Sequence, residues 1–184
     1  MKKIHIIFAM CMIALLPFVM TQQANASGTP DHMSEEILSY INQYRAQHGL
    51  PRLTMNPVLS QEATRHSHDM AIHAMPFGHD GFNSRMNHLH KHIPQSSSGA
   101  ENVAYNYKTA KIVVDGWIKS PGHRQNIMGH YNLTGIGIAR DSMGKLYYTQ
   151  LFLRSENQVG RHQIVHARPG VVISTRGSNQ HGHS

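Results

Sequence analysis

Apolar residues along this chain change their spacing twice, and the changes mark out its elements. From Ile4 to Met20 they form a run broken only by His5, Cys11, Pro17 and the small residues between. From Ser34 the spacing turns helical. Ser34 with Glu35 and Glu36 has the chemistry of an N-cap with acids in the first turn, and Ile37, Ile41 and Tyr44, flanked by Leu38 and Arg45, follow at helical intervals. Gly49 and Pro51 stop that helix. Asn56-Pro57 predicts a second start, with Pro at the first helical position. Leu59, Ala63, Ser67 and Met70 form its inward face, and Met75-Pro76 its end. A third, shorter helix is predicted over Ser84 to His92. A fourth runs from Thr109 as N-cap through Ile112, Val113, Gly116 and Trp117 to the Ser120-Pro121-Gly122 break.

Beyond that break the pattern changes again. Leu133 to Ala139 contains Gly-Ile-Gly-Ile, and Lys145 to Arg154 is rich in Tyr, Thr, Leu and Phe. Asp141-Ser-Met-Gly144 supplies turn chemistry between them, which predicts an antiparallel hairpin. Val171 to Thr175 reads as a further strand and Gly177 to Ser184 as a flexible tail. Helices first and strands later predict an α+β domain rather than alternating βαβ units. There is no internal repeat.

The opening run changes this picture, because it reads as an export signal. Met1-Lys2-Lys3 is its positive end, and Ala24-Asn25-Ala26 offers a small-x-small cleavage pattern, so cleavage is expected at Ala26-Ser27. The apolar run is short for a membrane span, and Pro17 interrupts it, so no transmembrane segment is expected in the mature chain. Cys11 lies inside the run rather than at its end, which excludes a lipoprotein anchor. The expected division is a signal peptide over residues 1–26, a short linker over 27–33, one domain over 34–154 and an extension over 155–184. Because Cys11 is the only cysteine, the mature domain forms no disulfide and uses no thiol chemistry. About 158 residues remain, enough for one domain with its own core. A secreted or periplasmic location follows.

The formal charge of +7 falls to +5 once Lys2 and Lys3 leave. That excess suits anionic envelope polymers or lipid headgroups. The basic residues are scattered and not interleaved with aromatics, which argues against nucleic acid as a partner. Sixteen histidines make the net charge rise steeply as pH falls through the imidazole range. Surface solvation accounts for most of them.

Three glycine-bearing islands carry the candidate chemistry: Phe77-Gly-His-Asp-Gly-Phe82, Gly99-Ala-Glu-Asn102 and Trp117-Ile-Lys-Ser-Pro-Gly-His-Arg-Gln-Asn-Ile127. His79 sits between two glycines, with Phe77 and Phe82 as anchors. Glu101 precedes the apolar Val103-Ala104, where a carboxylate needs a partner. His123 follows Pro121-Gly122. His79, Glu101 and His123 are suitable ligands for zinc or another divalent cation, with room for a water. The plainer alternative is a buried His79–Glu101 pair that ties a loop to the sheet. Arg124 and Asn126 read as clamps of the turn, Trp117 as core, and His66 as an interior or boundary histidine. His66, Asp69 and His73 on one helix, His88 with His92, and His181 with His183 are further histidine groupings.

These islands and their flanks resemble the CAP family, the secreted domain shared by cysteine-rich secretory proteins, insect venom antigens and plant pathogenesis-related proteins. The likeness is to its cysteine-free bacterial branch. It is carried by Ile41-Asn-Gln-Tyr-Arg-Ala-Gln-His-Gly-Leu-Pro51, Ala63-Thr-Arg-His-Ser-His-Asp-Met-Ala71, His79-Asp-Gly-Phe82, Gly99-Ala-Glu-Asn102, Gly116 to Met128, Gly135-Ile-Gly-Ile138 and Tyr147-Tyr-Thr-Gln-Leu-Phe152. The resemblance implies an α–β–α sandwich with a central antiparallel sheet and a large cleft. It also implies a cleft tetrad of two His and two Glu, whose first members map to His79 and Glu101. The other two positions hold Ser120 and Tyr147, so half of that tetrad is replaced here, with His123 as the candidate substitute.

The favoured function is a secreted binding module whose cleft holds His79, Glu101, His123, Ser120 and Tyr147. Its ligand would be a cell-envelope polymer, a lipid or an extracellular protein. The absence of a cysteine and of any G-x-S-x-G pattern favours binding over covalent catalysis. The alternatives are a metal-assisted hydrolase with Glu101 as general base, and an envelope scaffold whose histidines tune adhesion with pH.

Overall fold

A computed structural model of the chain describes residues 29–156. The expected signal peptide, the strand at 171–175, the tail and the His181/His183 pair lie outside the described residues. The elements in order are α1 (Pro30–Gln47), β1 (Thr54–Met55), α2 (Pro57–Ala71), α3 (Phe82–His92), β2 (Ser96–Tyr105), α4 (Ala110–Lys119), α5 (Pro121–Ile127), β3 (Leu133–Arg140) and β4 (Leu146–Ser155).

The strands form one sheet in the order β1-β3-β4-β2. All neighbours are antiparallel except the two-residue β1, which runs parallel to β3. β4 is central and covered on both faces, which is why its sequence lacks polar alternation. Tyr148 and Phe152 point into a core with Ile37, Ile41, Val113, Trp117 and Ile127. Leu151 and Leu153 point the other way, onto Leu59, Ala63, Met86 and Leu89. Helices α1, α4 and α5 thus cover one face and α2 and α3 the other, giving the α–β–α sandwich.

The Gly-Ile-Gly-Ile stretch follows from this layering. Ile136 and Ile138 fill the α1/α4 side, while a Cβ on Gly135 or Gly137 would overlap the α2 backbone at Leu59–Ser60 or Ala63–Thr64. Ser67 seals the same contact by donating to Gly137 O and sharing a hydroxyl–hydroxyl hydrogen bond with Thr149 Oγ1.

Several boundaries differ from expectation. α1 starts at Pro30 with Thr29 as its cap, so residues 30–33 are helix rather than linker, and Ser34 donates to Asp31 O instead of capping. α2 ends at Ala71, and His73 takes a left-handed φ of 57°. α3 begins two residues early, after the left-handed Gly81. Pro121 opens a new helix, α5, where the sequence pattern predicts a simple stop. β2 is a strand that the apolar spacing does not predict.

Arg45 fixes where α5 lies. It is fully buried and donates to the carbonyls of Pro51, Ile127, Gly129 and Tyr131 at 2.7–3.1 Å. A guanidinium at the C-terminal end of α5 also meets the negative end of its dipole. Asn42 exchanges two hydrogen bonds with Leu53 alongside.

Replacing Gly137 by Ala forces α2 off β3. Urea unfolding should register a loss of about 3 kcal/mol, whereas Gly122→Ala, where a Cβ meets nothing within 4 Å, should stay within about 1 kcal/mol of wild type.

Candidate functional site

Glu101 projects from β2 toward the α2/α3 layer and is 5% exposed. A carboxylate there is costly unless its oxygens are bonded, and here both are. Arg85, on the inward stripe of α3, donates through Nε to Oε2 and through Nη2 to Oε1, each at 2.8 Å. This is a bidentate fork. His79 adds a third bond, Nδ1 to Oε1 at 2.9 Å. Arg85 Nη1 also donates to Asp80 O at 2.7 Å, pinning the loop that carries His79.

His66, on α2, stands behind this group. It is 2% exposed, donates from Nε2 to Gly78 O at 3.0 Å, and lies 3.8 Å from Glu101 Oε1. Burial pushes its pKa below the usual imidazole value, against the pull of Glu101. His66 is therefore a satisfied interior histidine, as its sequence position suggested, but it is also part of the Glu101 cluster.

In front of Glu101 opens a cleft of about 330 Å³, lined by His79, Phe82, Gly99, Ala100, Glu101 and Asn126. With Nδ1 committed to Glu101, His79 has only Nε2 left to offer, and its side chain is 53% exposed. Asn126 closes the free edge of β2 by donating to Glu101 O and Asn102 Oδ1 at 3.1 and 2.9 Å. Asn102 in turn donates to His123 O at 3.2 Å. Arg124 clamps α5 to α4 through Ile118 O, as expected.

The structure thus brings His79 and Glu101 together and keeps His123 within electrostatic reach of His79. Burial lowers the His123 pKa first, and repulsion from His79 lowers it further. Among the described residues, His123 is not a hydrogen-bond partner of Glu101, and no group of three or more His, Cys, Asp or Glu is arranged to hold a metal ion. The donor set around Glu101 does not fit a divalent cation, because a guanidinium already occupies both oxygens and would repel a second positive charge. The ligand set expected from sequence, His79 with Glu101 and His123, is replaced by a His79–Glu101–Arg85 bridge.

Ser120 and Tyr147 stand elsewhere. Ser120 is the half-buried residue between α4 and α5. Tyr147 is buried among Met70, Ala71 and Val103. It shares a sheet face with Glu101 but pairs with Tyr105, about 13 Å further along the strand. Of the other histidine groupings, His88 and His92 stay together, with ring centroids 4.2 Å apart, while the group on α2 comes apart. His73 leaves the α2 face and meets Tyr147 edge-on, and His92 spends Nδ1 on His88 O. Arg85 is the functional residue that sequence reasoning passes over. Its signal is a cation beside Met86 and Leu89 on an inward helical stripe, within reach of an acid that needs a partner.

Two outcomes test this electrostatic core. Arg85→Met strands Glu101 and should cost about 3–5 kcal/mol by urea denaturation, while adding Glu101→Met should recover much of the loss. His66 has a lowered folded pKa, so the unfolded chain binds its proton first. Its stability contribution is complete above the ordinary value of 6.5 and falls away as pH drops below it. His66→Gln should flatten that part of the stability–pH curve.

The comparisons follow the same geometry. The profile of the CAP, or cysteine-rich secretory protein, family matches residues 38–152. The uncharacterized membrane protein YlbC of Bacillus subtilis is 32% identical over 123 residues, which is 65% of this chain and 34% of that protein. The chain spans less than half the length of the curated relatives it matches. Among solved structures, an extracellular protein containing an SCP domain from Bacillus anthracis is 27% identical at a TM-score of 0.58. That match covers 70% of this chain and 44% of that one. An outer surface protein of Borrelia burgdorferi shares the fold at a TM-score of 0.62 and 18% identity, over 70% of this chain and 97% of that one. No helix among the described residues is long and apolar enough to cross a membrane. The sandwich, the Gly-Ile-Gly-Ile seam and the profile match agree, and the chain belongs to the CAP family.

Proposed function

We propose that this chain is an exported CAP-domain binding module, and that the cleft at the β2 edge recognises a cell-envelope or extracellular ligand. One observation carries the reading. Both Glu101 oxygens are bonded inside the protein, so the carboxylate serves to orient His79 and is not free to take a proton from substrate. The cleft then offers an exposed, oriented imidazole, the Asn126 amide and apolar contact at Phe82. A few convergent polar groups in a partly apolar hollow are binding chemistry.

Export is supported by the signal-like segment at residues 1–26 and by the extracellular Bacillus anthracis relative. The hydrolase reading, with Glu101 as general base, loses its base to Arg85. Membership in the family transfers the domain and not the activity of the longer relatives.

The test is co-sedimentation of the purified chain with purified cell-wall polymer and, separately, with phosphatidylglycerol vesicles. One of the two should retain the wild type. His79→Ala and His123→Ala should each weaken retention by about tenfold, roughly 1.4 kcal/mol, with unchanged thermal unfolding. Retention equal to wild type in both variants would place recognition outside the cleft.

A further inference from the structure

The loop that carries His79 also carries Phe77, and Phe77 is unusual. It is 54% exposed, yet its ring lies 6.1 Å from Tyr105 and 6.4 Å from Tyr147. The two tyrosines are 4.7 Å apart and inclined at 53°. Lys145 holds its ammonium 5.7 Å from the centroid of the Tyr105 ring. Only Gly78 separates Phe77 from His79 along the chain, so one loop carries both the cleft imidazole and the ring that meets this aromatic surface. We propose that Phe77 and Tyr105, backed by the buried ring of Tyr147, form a subsite for a pyranose ring of an acidic glycan, with Lys145 taking the carboxylate. This rests on the binding-module reading and names its ligand class.

The chemistry favours a sugar. A pyranose has C–H faces, which pack on aromatic rings, and a rim of hydroxyls. Here a ring and hydrogen-bonding groups occur in one place: a half-exposed Phe77, the partly exposed Tyr105 phenol, which both donates and accepts, and a cation at the edge. The tyrosines are backed by Met70, Ala71 and Val103, so the platform is rigid and costs little entropy to use. A lipid chain would require an enclosed apolar channel, whereas this surface is open and flanked by His73 and Lys145. Charge complementarity then selects among glycans, since Lys145 meets a carboxylate better than a neutral hydroxyl.

The probes are soluble glycan fragments released from peptidoglycan, which carry lactyl carboxyl groups, and a neutral N-acetylglucosamine tetramer. Titration followed by NMR or calorimetry should show the acidic fragments binding more tightly. Phe77→Ala should weaken them by about tenfold, and Phe77→Trp should retain binding. Lys145→Ala should abolish the preference for acidic over neutral fragments. Phe77 is half exposed, so unchanged thermal unfolding is expected and keeps the variant interpretable. Binding by Phe77→Ala equal to wild type, failure of the wild type to bind either glycan, or capture by phosphatidylglycerol vesicles alone would each overturn the subsite. Its failure is separable from that of the cleft. Loss in His79→Ala with no change in Phe77→Ala leaves the cleft and removes the subsite, and the reverse result leaves the subsite alone.

Discussion

A carboxylate inside a protein must be matched, and the matching of Glu101 organises one whole side of this molecule. Its two oxygens receive three hydrogen bonds, two from a helix and one from a loop. Arg85 is therefore fixed in depth and rotation on α3, and through Asp80 O it fixes the loop at residues 78–81. That loop then presents His79 at the cleft and Phe77 beside it. The interaction is expensive to break and of modest net value. Its consequence is geometry: an imidazole with one nitrogen committed and the other available.

The opposite face solves a similar problem with backbone carbonyls. Arg45 has no acidic partner within the hydrogen bonds that satisfy it. It gathers four carbonyl oxygens from the segments around α5 and β1. Burial lowers its pKa, yet guanidinium stays charged because its ordinary value is so high. The result is that α5, only seven residues long, has a determined position against β2. Asn126 and His123 inherit that position. The cleft is thus held from both layers of the sandwich by two buried arginines.

Much of this fold is legible in the sequence, and the exceptions share a cause. Helical spacing locates α1, α2 and α4, and Gly135 and Gly137 signal a strand pressed against a helix. β2 escapes because Ser96, Ser97, Ser98, Glu101 and Asn102 break its apolar pattern. Its buried polar positions are satisfied by groups far away in sequence: Arg85 for Glu101, Asn126 for Asn102. A polar residue that is buried through a distant partner looks like a loop residue when read alone. The same blindness explains the site. His79 and Glu101 are recognisable from their glycine-flanked islands, but Arg85 changes Glu101 from a free ligand into a bound one, and no local spacing announces that pairing.

The edge position of β2 explains why the cleft lies where it does. An edge strand exposes backbone groups that invite pairing with another chain. Here Asn126 takes the outward carbonyl of Glu101, and Asn102 reaches back to His123 O. One side-chain amide from the short helix α5 and one from β2 itself cover the edge with less bulk than a further strand would. They leave a hollow over Gly99 and Ala100, where a larger side chain at 99 would collide with Met86 and Phe152 O. Edge protection and cleft formation are therefore one structural solution. A ligand that enters finds the Glu101 carbonyl already taken, and it meets the side chains of His79, Phe82 and Asn126 facing the hollow.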